Sequence, residues 1–397
     1  MSSAPLSIGI IGSGAMGAGI AQVVATAGHP VQLLDQNAAA LERATASIAA
    51  NLRKLAEKGK LTQAAADAAA ARLHPTANMQ DFAACGLVIE AIVEDLAVKQ
   101  QIFRQVEGIV SAECILASNT SSLSVTSIAA ACQRPERFLG IHFFNPAPLM
   151  QLVEVIPAVQ TRPRLAEEIK LLVQSWGKRP VLAQDTPGFI VNRVARPFYG
   201  EAIRILEEGL ADMATIDWAM TELGGFRMGP FALMDFIGHD VNYRVTESVF
   251  TAFFYDPRYR PSFTQKRLFE AGYYGRKAGR GFYNYAPGAA QPEPRRDESL
   301  GFSILNRILA MLINEAADAL ALNVASKADL ELAMTTGVNY PKGLLAWADE
   351  LGLLQVLATL DALYTEYHED RYRASPLLRR LVRGQQTFAT YEPVATR

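Results

Sequence analysis

Cysteine is scarce in this chain, and what is missing narrows the field first. The 397 residues include only Cys85, Cys114 and Cys132, with no C-x-x-C pair and no metal-like spacing. Neither a disulfide framework nor a metal site is therefore expected. Charge of one sign is not in excess either, since 38 Lys and Arg stand against 40 Asp and Glu, a formal net charge of -2. That balance offers no footing for a nucleic acid or an acidic membrane, so an anionic ligand has to be met by a local cluster of positive groups. No stretch has the roughly 18 uninterrupted apolar residues of a membrane span. The chain runs from Met1 straight into an apolar strand, with no basic start and no cleavage pattern. The expectation is a soluble cytoplasmic protein with no nucleic-acid and no membrane partner.

What is present is enough for several cores. Half of the residues are hydrophobic, and the length suggests two or three domains. Leu6 to Ile11 reads as a buried strand, followed at once by G-S-G-A-M-G and an apolar helix to about Ala27. Pro30 to Leu34 reads as the next strand, ending in Asp35. A glycine triplet alone says little, but one that follows a strand, opens a helix and has an acid at the end of the second strand is a dinucleotide fingerprint. Gly12 permits the tight turn, Gly14 lets backbone approach a pyrophosphate, and Gly17 allows close helix packing. Ala15 and Met16 open the helix whose N-terminus faces the phosphates. Asp35 is suited to accept from ribose hydroxyls and would repel a 2′-phosphate, and Gln36 and Asn37 supply no compensating charge. NAD is therefore the expected cofactor rather than NADP.

Residues 37 to 73 are Ala-rich and read as a helical hairpin, with Arg53, Lys54, Lys58 and Lys60 near a break at Gly59. The cluster suits a solvated helix face or a phosphate-binding tip, and both readings stand at this point. Gly86 to Glu90 and Cys114 to Ser118 read as further strands, the second running into S-N-T-S-S-L. Polar residues at the carboxyl ends of parallel strands face the ligand crevice, which puts Asn119 and Ser121 near cofactor and substrate.

Phe138 to His142 and Leu152 to Ile156 read as two more strands, joined through the turn-prone Asn145 to Pro148. Strands joined this closely are expected to be antiparallel neighbours, with His142 able to face Glu154. A carboxylate on one imidazole nitrogen fixes the tautomer and leaves the other free to exchange a proton with substrate. A purely structural His–Glu pair is the other meaning of the same residues.

After a helix over Arg164 to Trp176 and a strand over Lys178 to Ala183, the strand–helix alternation stops near D-T-P-G-F at Asp185 to Phe189. Phe189 to Glu208 reads as one long apolar helix kinked at Pro197. A Pro- and charge-rich linker, Ala286 to Ser299, follows G-R-K-A-G-R-G-F-Y-N-Y. Beyond it the helical pattern repeats. A shift of 114 positions carries Ile190–Asp256 onto Ile304–Asp370 without a gap, and 17 of the 67 pairs are identical. The expected architecture is an α/β Rossmann-type dinucleotide-binding domain followed by two tandem all-α domains: 1–186, 187–285, a linker 286–299, and 300–390. Two copies in one chain can cover each other as an internal pseudo-dimer. The whole is then a monomer or a homodimer, and the second copy is assigned a structural role.

With G-S-G-A-M-G, S-N-T-S-S-L, H-F-F-N-P-A-P-L-M-Q-L-V-E-V-I, D-T-P-G-F-I-V-N-R and G-R-K-A-G-R-G-F-Y in order, the chain resembles the L-3-hydroxyacyl-CoA dehydrogenase family over residues 6 to 285. The duplicated helical part is similar to the longer family members, without the hydratase domain of the multifunctional ones. The resemblance implies His142 as catalytic acid/base, Glu154 as its partner, and Ser121 and Asn192 at the reacting oxygen. It also implies cofactor contacts from Glu94, Lys99, Asn119, Ser121, Asn145 and Lys277, and contacts to the acyl-CoA substrate from Ser121 and Lys58. Asn51 stands where a CoA-contacting serine is often found. The implied reaction is NAD-dependent oxidation of a 3-hydroxyacyl-CoA in fatty-acid or aromatic-acid degradation. A free hydroxy-acid dehydrogenase and a non-catalytic NAD-binding relative are the alternatives.

Overall fold

The computed structural model describes residues 5–392; positions 1–4, where the N-terminal expectation begins, lie outside the described residues. The chain divides into two compact units after Phe189.

In the first unit, β1 (Ile8–Ile11), α1 (Ala15–Thr26) and β2 (Val31–Leu34) form the expected nucleotide-binding start. The helical hairpin is α2 (Ala38–Glu57) and α3 (Gln63–Ala71), packed through Leu41, Ala44, Ile48 and Leu52. It ends earlier than expected, because Leu73–Thr76 forms β3, parallel to β2. Pro75 hid this strand in the sequence, and it is tolerated because β3 is the sheet edge. Then come β4 (Leu87–Glu90), α4 (Leu96–Glu107), β5 (Ile115–Ser118), α5 (Val125–Ala129), β6 (Phe138–Phe143), β7 (Leu152–Pro157), α6 (Leu165–Ser175) and β8 (Arg179–Leu182). The sheet order is β3-β2-β1-β4-β5-β6-β7-β8, parallel except where β6 meets β7. Strand order reverses between β1 and β4, and ligands bind in the crevice at such a switch point.

The second unit is helical. It comprises α7 (Val191–Val194), α8 (Arg196–Glu207), α9 (Met213–Trp218) continuing into a π-helical turn, α10 (Pro230–Ile237), α11 (His239–Ala252) and α12 (Phe263–Glu270). After the linker come α13 (Glu298–Ala321), α14 (Lys327–Gly337), α15 (Leu344–Leu351), α16 (Leu353–Tyr367) and α17 (Pro376–Arg383). The expected single helix at Pro197 is instead two, broken at Ala195, with the proline in the first turn of α8 where its missing N–H costs nothing. The linker stops short of Ser299, because the Asp297 side chain accepts from Leu300 N and starts α13. That helix is long and apolar enough to cross a membrane, but 78% of its apolar window is buried inside the protein. It is the core helix of this unit.

Candidate active site

The glycine turn meets its steric demands. At Gly12, with φ +98°, a Cβ would lie 2.6 Å from the Ala91 carbonyl, and at Gly17 it would lie 1.8 Å from the Gly12 carbonyl. Gly14 differs, since nothing lies within 4 Å of where its Cβ would be. Its requirement is therefore not set by packing in the protein. Gly14 and Ala15 are exposed, and no side chain caps α1. Open space at the bare N-terminus of a helix fits a pyrophosphate, as the fingerprint demands. Asp35 is held rigidly beside it. Its Oδ2 accepts from Ser13 N at 2.8 Å and Ser13 Oγ at 2.6 Å, and its Oδ1 from Asn37 N at 2.9 Å. Burial pushes its pKa up, but these hydrogen bonds outweigh it and hold the carboxyl below the usual value, ready to accept from ribose hydroxyls.

On the far side of the switch point, the polar ends of β4 and β5 form one network. Glu90, fully buried, accepts from Lys99 Nζ at 2.6 Å, Ser118 Oγ at 2.7 Å and Ile92 N at 2.7 Å. Lys99, itself 1% exposed, also reaches Glu94 at 3.2 Å. Glu94 accepts from the hydroxyls of Thr120 and Ser122 and from the N–H groups of Ser121 and Ser122. Burial acts to raise the Glu94 pKa, while the Lys99 charge and these donors more than offset it and keep it ionised. The Lys99 ammonium is thus committed to two carboxylates and orients Glu94. Asn119 is similarly engaged, its Oδ1 accepting from Phe143 N at 2.8 Å, which ties the end of β5 to the strand that carries His142.

His142 and Glu154 are direct cross-strand partners of β6 and β7. Side chains opposite one another on an antiparallel pair share a face, and His142 Nδ1 lies 2.7 Å from Glu154 Oε2. An ionised carboxylate only accepts, so Nδ1 carries the proton and Nε2 is the atom available for proton exchange. His142 is 5% exposed and Glu154 not at all, and the rings of Phe144 and Phe189 lie 4.5 Å and 5.9 Å from the imidazole. Asn145 follows in the exposed turn after β6, before a cis bond to Pro146. Lys178 pins that turn by donating to the carbonyls of Ala147 at 2.6 Å and Met150 at 2.8 Å.

Asn51, Lys54 and Lys58 are spaced by three and four residues at the end of α2 and share one exposed face that flanks its buried stripe. The Asn51 amide donates to Gln22 at 3.4 Å. Asn192, on α7, and Lys277 belong to the second unit, and Lys277 is paired with Asp240 at 2.6 Å. The cysteines are free and buried, and burial pushes the thiols of Cys114 and Cys132 up to about 12. Thiolate chemistry is thereby removed from consideration. Sequence reasoning passed over Glu90, Ser118, Phe144 and Lys178. Only Glu90 carried a signal, as an acid closing an otherwise apolar strand.

Two family models match the chain: "3-hydroxyacyl-CoA dehydrogenase, NAD binding domain" over residues 7–186, and "3-hydroxyacyl-CoA dehydrogenase, C-terminal domain" over residues 188–285 and again 301–388. Among curated proteins, the 3-hydroxyadipyl-CoA dehydrogenase of Escherichia coli K12 is 38% identical, with 94% of this chain and 96% of the relative covered. The human mitochondrial hydroxyacyl-coenzyme A dehydrogenase is 42% identical over 70% of this chain and 90% of its own length. Among solved structures, a 3-hydroxybutyryl-CoA dehydrogenase from Escherichia coli K12 superposes with a TM-score of 0.91 at 37% identity, covering 97% of this chain and 100% of that one.

Proposed function

Since the chain belongs to the 3-hydroxyacyl-CoA dehydrogenase family and is an NAD-dependent oxidoreductase of 3-hydroxyacyl-CoA thioesters, we propose that His142 is the acid/base of the reaction and Glu154 the group that orients it. The observation that carries this reading is the hydrogen bond of 2.7 Å from His142 Nδ1 to the buried Glu154. His142 Nε2 takes the proton from the 3-hydroxyl of an (S)-3-hydroxyacyl-CoA, and the imidazolium so formed is stabilised by the Glu154 carboxylate. NAD, when bound, accepts the hydride that leaves C3. Ser121 and Asn192 steady the oxygen as it becomes a carbonyl, which is where preorganised dipoles help most.

Gly12, Gly14, Ala15, Met16 and Gly17 hold the pyrophosphate and Asp35 the ribose. Glu94, kept in place by Lys99, serves the nicotinamide end with Asn119 and Asn145, and Lys277 is assigned a cofactor contact. Lys58, with Asn51 on the same helix face, meets the phosphates of coenzyme A. The reaction belongs to fatty-acid or aromatic-acid degradation, and three buried free thiols suit a reducing cytoplasm.

The helical unit is read as an internal pseudo-dimer. What supports this is a reciprocal exchange, in which Arg193 pairs with Glu315 at 2.6 Å while Arg307 pairs with Glu201 at 2.7 Å. The same 114-residue shift that relates Arg193 to Arg307 relates Glu201 to Glu315. Residue i meeting j while j′ meets i′ is the signature of an isologous two-fold contact.

The test is initial-rate NADH oxidation with acetoacetyl-CoA, run beside free acetoacetate and with NADPH in parallel. Turnover confined to the thioester and NADH is expected, whereas turnover of the free acid would move the reading to a hydroxy-acid dehydrogenase. His142→Ala is expected to lower kcat by about 10²- to 10⁴-fold while the protein remains folded. Loss of stability with kcat retained would make the pair structural.

A further inference from the structure

Of the buried arginines in the helical unit, Arg193, Arg307 and Arg371 each meet a glutamate, at 2.6 Å, 2.7 Å and 3.6 Å. Arg196, at the start of α8, does not. It is 7% exposed, and among the described residues no carboxylate lies within ion-pair distance of it. Its Nη1 donates to Thr246 Oγ1 at 3.1 Å, its guanidinium lies 4.9 Å from the centre of the Tyr199 ring, and its Nε–H has no partner. The phenols whose charge would act on it are Tyr199 and Tyr340, and burial raises the pKa of both, so they are neutral. Burial alone works against the Arg196 charge and lowers its pKa. A buried cation without a counter-charge is among the costliest features a fold can keep.

Beside it is a cavity of about 20 Å³ lined by Arg196, Arg258, Arg260, Arg371 and one carboxylate, Glu201. Arg258 is already paired with Asp256 at 2.8 Å and Asp318 at 2.6 Å, and Arg371 with Glu369 at 3.4 Å, which leaves Arg196 as the buried cation without a carboxylate. Glu201 is already engaged by Arg307 and by the Tyr372 hydroxyl, both at 2.7 Å. The space holds one particle of about a water's size, which excludes phosphate and sulfate. Gly200, Arg260, Pro261, Ser262 and Arg371 also line a wider cleft of about 550 Å³, which gives a way in from solvent. We propose that this cavity is a binding site for a small monovalent anion of halide size, held by the Arg196 guanidinium as its missing counter-ion. Arg371 and Met311 in the wall come from the second helical stretch and Arg196 from the first, so the anion bridges the two.

The test uses the full chain. Crystals soaked in sodium bromide are expected to give an anomalous peak at the Arg196 guanidinium. In solution, sodium chloride should raise the melting temperature by about 2–4 °C over sodium gluconate at equal ionic strength. Arg196→Met, which keeps the apolar stem and removes the charge, should abolish that difference. An ordered water in place of bromide, with equal melting temperatures in the two salts, overturns the proposal. The bromide experiment needs no variant, so it decides the question even where Arg196→Met does not fold.

Discussion

The two stretches of the helical unit, 188–285 and 301–388, match one family model and solve the same problems with slightly different residues. Asp217 accepts from Phe231 N and Ala232 N and closes the N-terminus of α10. In the second stretch the longer Glu331 accepts from Leu345 N and Ala346 N and closes α15 in the same way. Asp235 takes the N–H groups of Phe282 and Tyr283, and Asp349 those of Phe388 and Ala389. Glycine is kept before each capped helix, since a Cβ at Gly229 would lie 2.4 Å from Asp217 and one at Gly343 would lie 1.8 Å from Glu331. The stretches part company over their arginines. Arg307 has Glu208 and the Tyr367 hydroxyl besides Glu201, whereas Arg193 faces Phe253, the counterpart of Tyr367, and its Nη2 has no partner. Retained in both stretches is whatever seals a helix end or a buried charge. What differs is chemistry at the edges.

Removing one arginine of the exchange should have the largest effect. Arg193→Met or Arg307→Met removes the closest partner of a buried glutamate, leaving Glu315 with Arg258 at 3.5 Å and Glu201 with Arg371 at 3.6 Å, at a cost of up to about 3–5 kcal/mol in urea denaturation. Arg307→Met is expected at the upper end because two carboxylates, Glu201 and Glu208, each lose an ion pair, and equal losses would erase the asymmetry. Next come the asparagines related by the repeat. Asn192→Ala should lower kcat by about 10²- to 10³-fold, while Asn306→Ala leaves kcat alone. A parallel loss from Asn306→Ala would end the assignment of a structural role to the second stretch.

The carboxylate caps differ in titration. Burial pushes Asp217 up to about 6 from the ordinary 3.8, with Asp235 adding to it, and burial also raises Glu331. A raised carboxyl favours the protonated form in the folded state. Its contribution is therefore fully present below pH 3.8 and is lost as pH rises through about 6. Asp217→Asn should flatten the fall in melting temperature across that window, and Glu331→Gln should flatten it less. The smallest change is a gain, since Phe253→Tyr would give Arg193 the hydroxyl that Arg307 already has. About 0.5–1.5 kcal/mol of added stability is expected. No gain would mean that the orphan nitrogen reaches solvent through local motion.

Much of the site was legible because its signals are local. The glycine turn is fixed by steric demands a few residues apart, and the distance from Gly12 to Asp35 is set by one helix and one strand. His142 and Glu154 could be paired on paper because a short antiparallel connection brings strand partners into register. Glu90 and Lys99 were harder. A carboxylate that ends an apolar strand shows itself, but its partners come from α4 and β5, and nothing in the order of residues ties those together. The edge strand β3 was missed for a local reason, since its proline argues against any strand except one at an edge, and edge position is a property of the assembled sheet.

The amino-acid sequence by itself determined the dinucleotide fingerprint, the pairing of His142 with Glu154 and the repeat, because each is written in spacing along the chain. Only the tertiary structure decided which buried charges are compensated. Arg193 and Glu315 are 122 positions apart and Arg307 and Glu201 are 106, and no local rule joins residues so distant. The same folding that closed those two exchanges left Arg196 without a carboxylate, because a counter-charge depends on what the packed helices bring within a few ångströms.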